Sequence, residues 1–195
     1  MKKKLMALSS LIAFCLIMTP LARAEGARGV EGFLKGKVTE VINTLQQTNQ
    51  PENVKKEKLS KIADSLFDFP LMAKLSLGKT HWFSLSESQR KRFTTLFVKR
   101  LESVYLDKMV NYTNEEVTYG VASVSGRKVQ IPTYLLSNGK KISILYRLYQ
   151  SADGWKLYDV EIQNVSLVQS YRAQFNEILK DGTAADLLNR LAQPR

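Results

Sequence analysis

With 195 residues, 44% of them hydrophobic and 24% charged, the chain is long and apolar enough to bury one sizeable core. Ten glycines and five prolines exclude a collagen-like or low-complexity chain, and a single cysteine excludes a disulfide framework. Twenty-nine Lys and Arg against 18 Asp and Glu leave a net charge of +11, which points to anionic partners.

The N-terminus reads as a targeting signal. Lys2, Lys3 and Lys4 precede an apolar run from Leu5 to Met18, and Ala22-Arg23-Ala24 presents small residues where a signal peptidase cleaves. About 14 apolar residues fall short of the roughly 20 that a bilayer-spanning helix needs. Residues 1–24 are therefore read as a cleaved secretory signal and residues 25–195 as a single exported, periplasmic domain. Cys15 follows the bulky Phe14, so no lipid anchor is expected and the mature chain holds no cysteine. Cleavage removes four basic residues and no acid, leaving an excess of about seven positive charges. An exported protein meets anionic headgroups, envelope polysaccharide and acidic protein surfaces, so no nucleic-acid partner is expected.

Helical periodicity fills the first half. Val30, Phe33, Leu34, Val38, Val41, Ile42 and Leu45 recur at three- and four-residue steps, predicting a helix that ends at Asn49-Gln50-Pro51. A second helix follows from Val54 to about Leu66. Asp68 caps a short third helix with Pro70 in its first turn, and Gly78 stops it. Ser86 and Gln89 form a capping box that opens the longest helix, about Glu87 to Val110. Its Phe93, Leu96, Phe97, Leu101, Val104, Tyr105 and Val110 make an apolar face, opposed by basic Arg90, Lys91, Arg92, Lys99 and Arg100.

The period then changes to two. Runs near 116–124, 127–136, 141–150 and 155–163 are separated by Ser125-Gly126, Asn138-Gly139 and Asp153-Gly154, which predicts a four-stranded antiparallel meander. A two-residue Asn138-Gly139 turn pairs Leu135 with Ile142, Thr133 with Ile144, Ile131 with Tyr146 and Val129 with Leu148. A three-residue Ala152-Asp153-Gly154 loop pairs Leu148 with Tyr158, Arg147 with Asp159, Tyr146 with Val160 and Ile144 with Ile162, keeping the apolar face intact. The register of the first strand stays open, because either Val117, Tyr119 and Val121 or Thr118, Gly120 and Ala122 can face inward. Ser166 and Gln169 form a second capping box, opening a helix with Val168, Tyr171, Phe175, Ile178 and Leu179 that Gly182 closes. A last short helix after Thr183 carries Leu187, Leu188 and Leu191. Helices before and after one antiparallel sheet define an α+β fold with helices over one face of that sheet.

Little in the chain supports catalysis. The mature chain has no cysteine and one histidine, His81, without a neighbouring carboxylate to orient it, so neither a zinc site nor a Ser-His-Asp triad is expected. Asp159 and Glu161 lie two apart on a strand and face Arg147, the pattern of a cross-strand ion pair rather than an acid/base couple.

Three stretches carry a specific resemblance. They are Phe67-Asp68-Phe69-Pro70-Leu71-Met72-Ala73; Leu77-Gly78-Lys79-Thr80-His81-Trp82 with Leu85-Ser86 and Gln89 to Phe93; and Trp155-Lys156-Leu157-Tyr158-Asp159-Val160 through Asn164-Val165-Ser166-Leu167 to Tyr171-Arg172-Ala173-Gln174-Phe175. In order and spacing they resemble the MlaC family, also called the toluene-tolerance auxiliary family. Two departures are local: Asn164 stands where family members usually carry Gly, and Thr80 is inserted before His81-Trp82. The resemblance implies a periplasmic phospholipid-binding shuttle of a Gram-negative envelope. It would carry glycerophospholipid between an outer-membrane lipoprotein complex and an inner-membrane ABC transporter with an MCE-type ring, maintaining outer-membrane asymmetry. It also implies an NTF2-like fold, a curved sheet under helices with an apolar pocket between the layers. No cofactor and no enzymatic activity are expected, and the protein is expected to be a monomer.

The residues fit such a carrier. Extracting a diacyl lipid exposes about 30 methylenes at roughly 0.8 kcal/mol each, on the order of 24 kcal/mol, so a carrier must enclose the chains almost completely. The expected walls are Val129, Ile131, Leu135, Ile142, Ile144, Tyr146, Leu148, Tyr158, Val160 and Ile162 of the sheet, opposed by Phe93, Leu96, Phe97, Leu101, Tyr105, Phe175 and Ile178. Arg90, Lys91, Arg92, Lys99 and Arg100 are the candidate docking cations toward partner complexes or membranes, with Lys55, Lys56, Lys58 and Lys61 a second cluster. Two other readings compete: an adaptor or chaperone that binds proteins through its basic faces around a dry core, and an NTF2-like enzyme. The enzyme would need an acid in the pocket, and the inward list offers only Tyr146 and Tyr158.

Overall fold

Capping chemistry sets most of the helix boundaries in the computed structural model, which describes residues 20–109, 116–137 and 139–193. Helix α1 spans Pro20–Leu45 and α2 spans Glu52–Leu66, separated by the Asn49-Gln50-Pro51 break. Residues 1–19 of the signal read from the sequence lie outside the described residues, and no described helix is long and apolar enough to cross a membrane. Helix α3, Phe69–Leu77, is capped by Asp68, whose carboxylate accepts from the Leu71 N–H, and it ends at Gly78 with φ 80°. That left-handed turn feeds directly into a six-residue helix absent from the sequence reading, α4, Lys79–Ser84. Helix α5, Glu87–Met109, opens with the expected box: the Ser86 N–H donates to Gln89 Oε1 at 2.8 Å and the Gln89 N–H to Ser86 Oγ at 3.3 Å.

The sheet has six strands rather than four: β1 Glu116–Tyr119, β2 Ser123–Ser125, β3 Lys128–Ser137, β4 Lys140–Ser151, β5 Gly154–Ile162 and β6 Val165–Ser166. All pairings between these strands are antiparallel, in the order β1-β3-β4-β5-β6, with β2 also on β3. Every expected β3–β4 pair is present, from Leu135 opposite Ile142 to Val129 opposite Leu148.

The first run splits because its register slips by one residue on β3. Tyr119 lies opposite Thr133 while Ser123 lies opposite Gln130, so three residues of one chain face two of the other, a bulge. The inward parity switches across it. Val117 and Tyr119 are half-buried before the bulge, Ala122 and Val124 after it, and Val121 is left 90% exposed. Both registers open to the sequence therefore occur in turn.

A second bulge corrects the β4–β5 register. Ser151 pairs with Gly154 across a two-residue Ala152-Asp153 turn, so Leu148 lies opposite Leu157 and not Tyr158. The shift between Arg147 and Leu148 then restores the expected pairs of Arg147 with Asp159, Tyr146 with Val160 and Ile144 with Ile162. Gly154, at φ 108°, serves the tight turn.

Strand β5 ends in a turn at Gln163 and Asn164, with φ 50° and 64°, that returns the chain as β6. Two positive φ values match a type I′ hairpin, and the second falls where the resembling family usually carries Gly. Helix α6, Leu167–Asp181, begins at the Ser166 cap, and α7, Ala184–Ala192, at a Thr183–Asp186 capping box.

The apolar residues form two clusters. One is helical, built from α3, α5, α6 and α7 around Phe93, Phe97, Tyr171 and Phe175. The other joins the inner face of the sheet to Val30 and Leu34 of α1 and Leu66 of α2. Phe67 packs against both; it bridges Leu157 on the free side of β5 and stacks on Phe69 at 5.4 Å. Helices α3 and α6 meet the sheet at β5, so the helical body stands beside that edge while α1 lies on the sheet at β2 and β3.

Candidate functional site

The wall residues expected on the sheet do share one face, with one exception. Val129, Ile131, Leu148 and Leu157 are fully buried, and Val160 nearly so. Burial fades toward the Asn138-Gly139 end: Leu135, Ile142, Ile144, Tyr146 and Ile162 are only half-buried. This apolar strip, sealed at one end and half-exposed at the other, is the candidate groove for an apolar ligand. Tyr158 is the exception, because the β5 bulge hands its inward place to Leu157. It lies against Tyr149, with the Lys128 ammonium 5.5 Å from its ring centroid.

The expected opposing wall is a correction. Phe93, Leu96, Phe97, Leu101, Tyr105, Phe175 and Ile178 belong to the helical cluster and not to the layer over the sheet. Phe93 packs edge-on against Phe175 at 5.4 Å, and Phe97 against Tyr171 at 5.2 Å. An apolar helix face reports that it is buried, not what buries it. The sheet face is covered instead by Val30, Phe33, Leu34 and Val38 of α1. Their three- and four-residue spacing was visible in the sequence, yet they were absent from the expected lining.

Among the described residues the inward face of the sheet carries polar points but no acid. Burial pushes the Tyr146 phenol up to about 12, the Tyr119 phenol adding to the shift and a hydrogen bond with Thr133 opposing it. Thr133 is buried and donates from Oγ1 to the Ile144 carbonyl at 3.3 Å. Both phenols are neutral at physiological pH and present no base. Asp159 and Glu161 lie on the other face with Arg147, whose Nη2 is 2.7 Å from Glu161 and whose Nε is 3.7 Å from Asp159. That guanidinium is held above its ordinary value chiefly by the Glu161 hydrogen bond. Among the described residues no group of three or more His, Cys, Asp or Glu is arranged to hold a metal.

The candidate docking cations do not form one stripe. Successive helical residues turn by about 100°, so Arg90, Lys91 and Arg92 point in three directions. Arg90 donates from Nε to the Trp82 carbonyl at 2.8 Å, and Lys91 pairs with Glu87 at 2.8 Å. Arg100 spends Nη2 on the carbonyls of Arg190, Leu191 and Gln193, the last at 2.8 Å, which closes the C-terminus of α7. Arg92 and Lys99 are exposed. In the second cluster, Lys55 donates to the Leu45 carbonyl at 3.1 Å, Lys56 pairs with Glu52, Lys58 donates to Gln47 and Lys61 pairs with Glu57.

Comparison with known proteins adds two findings. A solved phospholipid-binding protein from Ralstonia solanacearum, in complex with a phospholipid, matches with a TM-score of 0.73 at 24% identity, over 81% of this chain and 92% of that one. At that identity the likeness establishes the fold. No curated protein sequence matches the chain. The sequence model of the MlaC protein family matches residues 35–193, nearly the whole region that forms the sheet and the helical body. The chain therefore belongs to the MlaC family.

Proposed function

We propose that this protein is a periplasmic phospholipid carrier that holds acyl chains in the groove between α1 and the inner face of the sheet. The observation that carries this reading is the graded burial of one continuous apolar face, closed at Leu148 and Leu157 and half-open at Leu135, Ile142 and Ile144. Family membership and the phospholipid held by the Ralstonia protein support it. Acyl chains offer nothing to hydrogen-bond, so selection rests on chain number and volume, with the headgroup left at the open end. In this reading the carrier moves lipid between an outer-membrane lipoprotein complex and an inner-membrane MCE-type ABC transporter, after export by a cleaved signal at residues 1–24. The basic surplus assists encounter, with exposed Arg92 and Lys99 contributing. Among the described residues the inward face of the sheet offers no carboxylate as a base, and the carrier reading needs none.

The test is native mass spectrometry with lipid extraction on protein purified from a bacterial periplasm without detergent. A stoichiometric phospholipid adduct is expected, lost in Ile144→Asn in the groove and kept in Ile178→Asn in the helical cluster, provided both variants fold by circular dichroism. A bare wild-type protein that also takes no lipid from vesicles overturns the reading.

A further inference from the structure

Phe83 is 57% exposed, the only aromatic among the strongly exposed large hydrophobics of the described residues. It is not loose. Arg90 donates to the carbonyls of Trp82, at 2.8 Å, and Phe83, at 3.3 Å, pinning the end of α4. The same guanidinium lies 5.6 Å from the Phe83 ring centroid and 5.8 Å from that of Trp82, and the Lys74 ammonium is 5.4 Å from the Phe83 centroid. Lys74 and Lys79, which precede the ring in the chain, are both exposed. Beside it lies a shallow cleft of about 450 Å³ lined by Pro70, Trp82, Arg90, Thr94 and Thr95 among others. Glu87, the one acid in that lining, is already paired with Lys91.

A phenyl ring held in water between an ammonium and a guanidinium has an evident complement. Below the phosphates of an anionic bilayer the ring finds an apolar layer, while the ammonium and guanidinium groups meet phosphate oxygens at the same depth. An acidic protein would satisfy the cations too. A standard protein interface, however, takes about 800 Å² per partner and depletes Lys at its centre, whereas α4 offers six residues, the first of them Lys79. We propose that Phe83, with Lys74, Lys79 and Arg90, is a reversible contact site for the surface of anionic phospholipid membranes. The site is separate from the groove and does not require a lipid to be held there.

Vesicle flotation at low and physiological salt tests it, using phosphatidylcholine alone and phosphatidylcholine mixed with phosphatidylglycerol. Wild-type protein is expected to float with the mixed vesicles only, and less at higher salt. Phe83→Ala is expected to lower the partition about tenfold, and each of Lys74→Glu and Lys79→Glu about fivefold or more. Val165→Ala, which removes another exposed apolar side chain, and the groove variant Ile144→Asn are expected to float as wild type. Thermal melts confirm that each variant is folded. Absence of wild-type flotation, equal flotation with both vesicle types, or a folded Phe83→Ala that floats as wild type overturns the proposal. If Phe83→Ala instead weakens capture by an envelope protein while vesicles bind nothing, the patch is a protein interface and the membrane assignment is wrong.

Discussion

Replacing Asp159 with Ala tests how the helical body is fastened to the sheet. Asp159 is 6% exposed, and its carboxylate accepts from Ser166 Oγ at 2.7 Å and from the Val168 N–H at 3.1 Å, with Arg147 Nε at 3.7 Å. One β5 side chain thus caps the first turn of α6. Alanine orphans the buried Val168 N–H, which costs about 1–3 kcal/mol, and removes a charged acceptor from a hydroxyl, about 1–2 kcal/mol more. The usual penalty for breaking a buried ion pair, about 3–5 kcal/mol, is not added in full. Arg147 keeps Glu161 at 2.7 Å and is not stranded. The net expectation is about 3 kcal/mol, which for a domain of this size lowers Tm by about 6–12 °C. Asp159→Asn retains a neutral acceptor for Val168 and should cost about 1–1.5 kcal/mol. Thermal unfolding followed by circular dichroism at neutral pH measures both. An Ala variant melting within about 2 °C of wild type, or an Asn variant as damaged as Ala, refutes the capping argument.

Three further outcomes follow from local geometry. Tyr149 donates to Asp68, and that bond, with burial, raises its phenol to about 12; Tyr146 reaches about 12 through burial. A phenol raised in the folded state contributes stability that is complete below its unfolded value of about 10 and lost as pH climbs toward 12. Tyrosinate absorbance should show two tyrosines ionising late, with stability falling over that window; ionisation of all eight together near the ordinary value would contradict this. Asn164→Gly should hold or raise stability by up to about 1 kcal/mol, whereas Asn164→Val should lower it by about 1–2 kcal/mol, because φ at that residue is 64°; urea titration distinguishes them. Gly120→Ala would set a Cβ 2.9 Å from Cγ of Pro132 and should cost about 1–2 kcal/mol by the same titration, with wild-type stability disproving the clash.

The sequence was most informative where one local rule acted without competition. The Asn138-Gly139 turn and an unbroken period of two determine the β3–β4 register, and every expected pair from Val129 to Leu135 is found. It failed where the backbone carries an extra residue. A bulge changes which face follows; Gly120 within its run is a mark of one but does not fix the register beyond it, and Tyr158 carries no such mark. Helix α4 has six residues, too few to show a period. The groove was half legible. Alternation identified the sheet wall, but helix periodicity is identical for a face packed on another helix and one packed on a sheet. Periodicity alone therefore does not separate Phe93 and Phe97, which pack among helices, from Val30 and Leu34, which pack with the sheet.

The division of the apolar residues into two bodies that meet at Phe67 has a consequence for an empty carrier. Phe93 and Phe97 are sealed among helices, and nothing that enters or leaves the groove changes their surroundings. In the proposed carrier that body holds its share of the unfolding free energy at all times, while the half-buried strip along Ile142, Ile144 and Tyr146 would gain and lose neighbours with occupancy. Amide exchange therefore has a built-in internal standard: protection in α5 and α6 reports the fold, and protection in β3 to β5 reports the cargo.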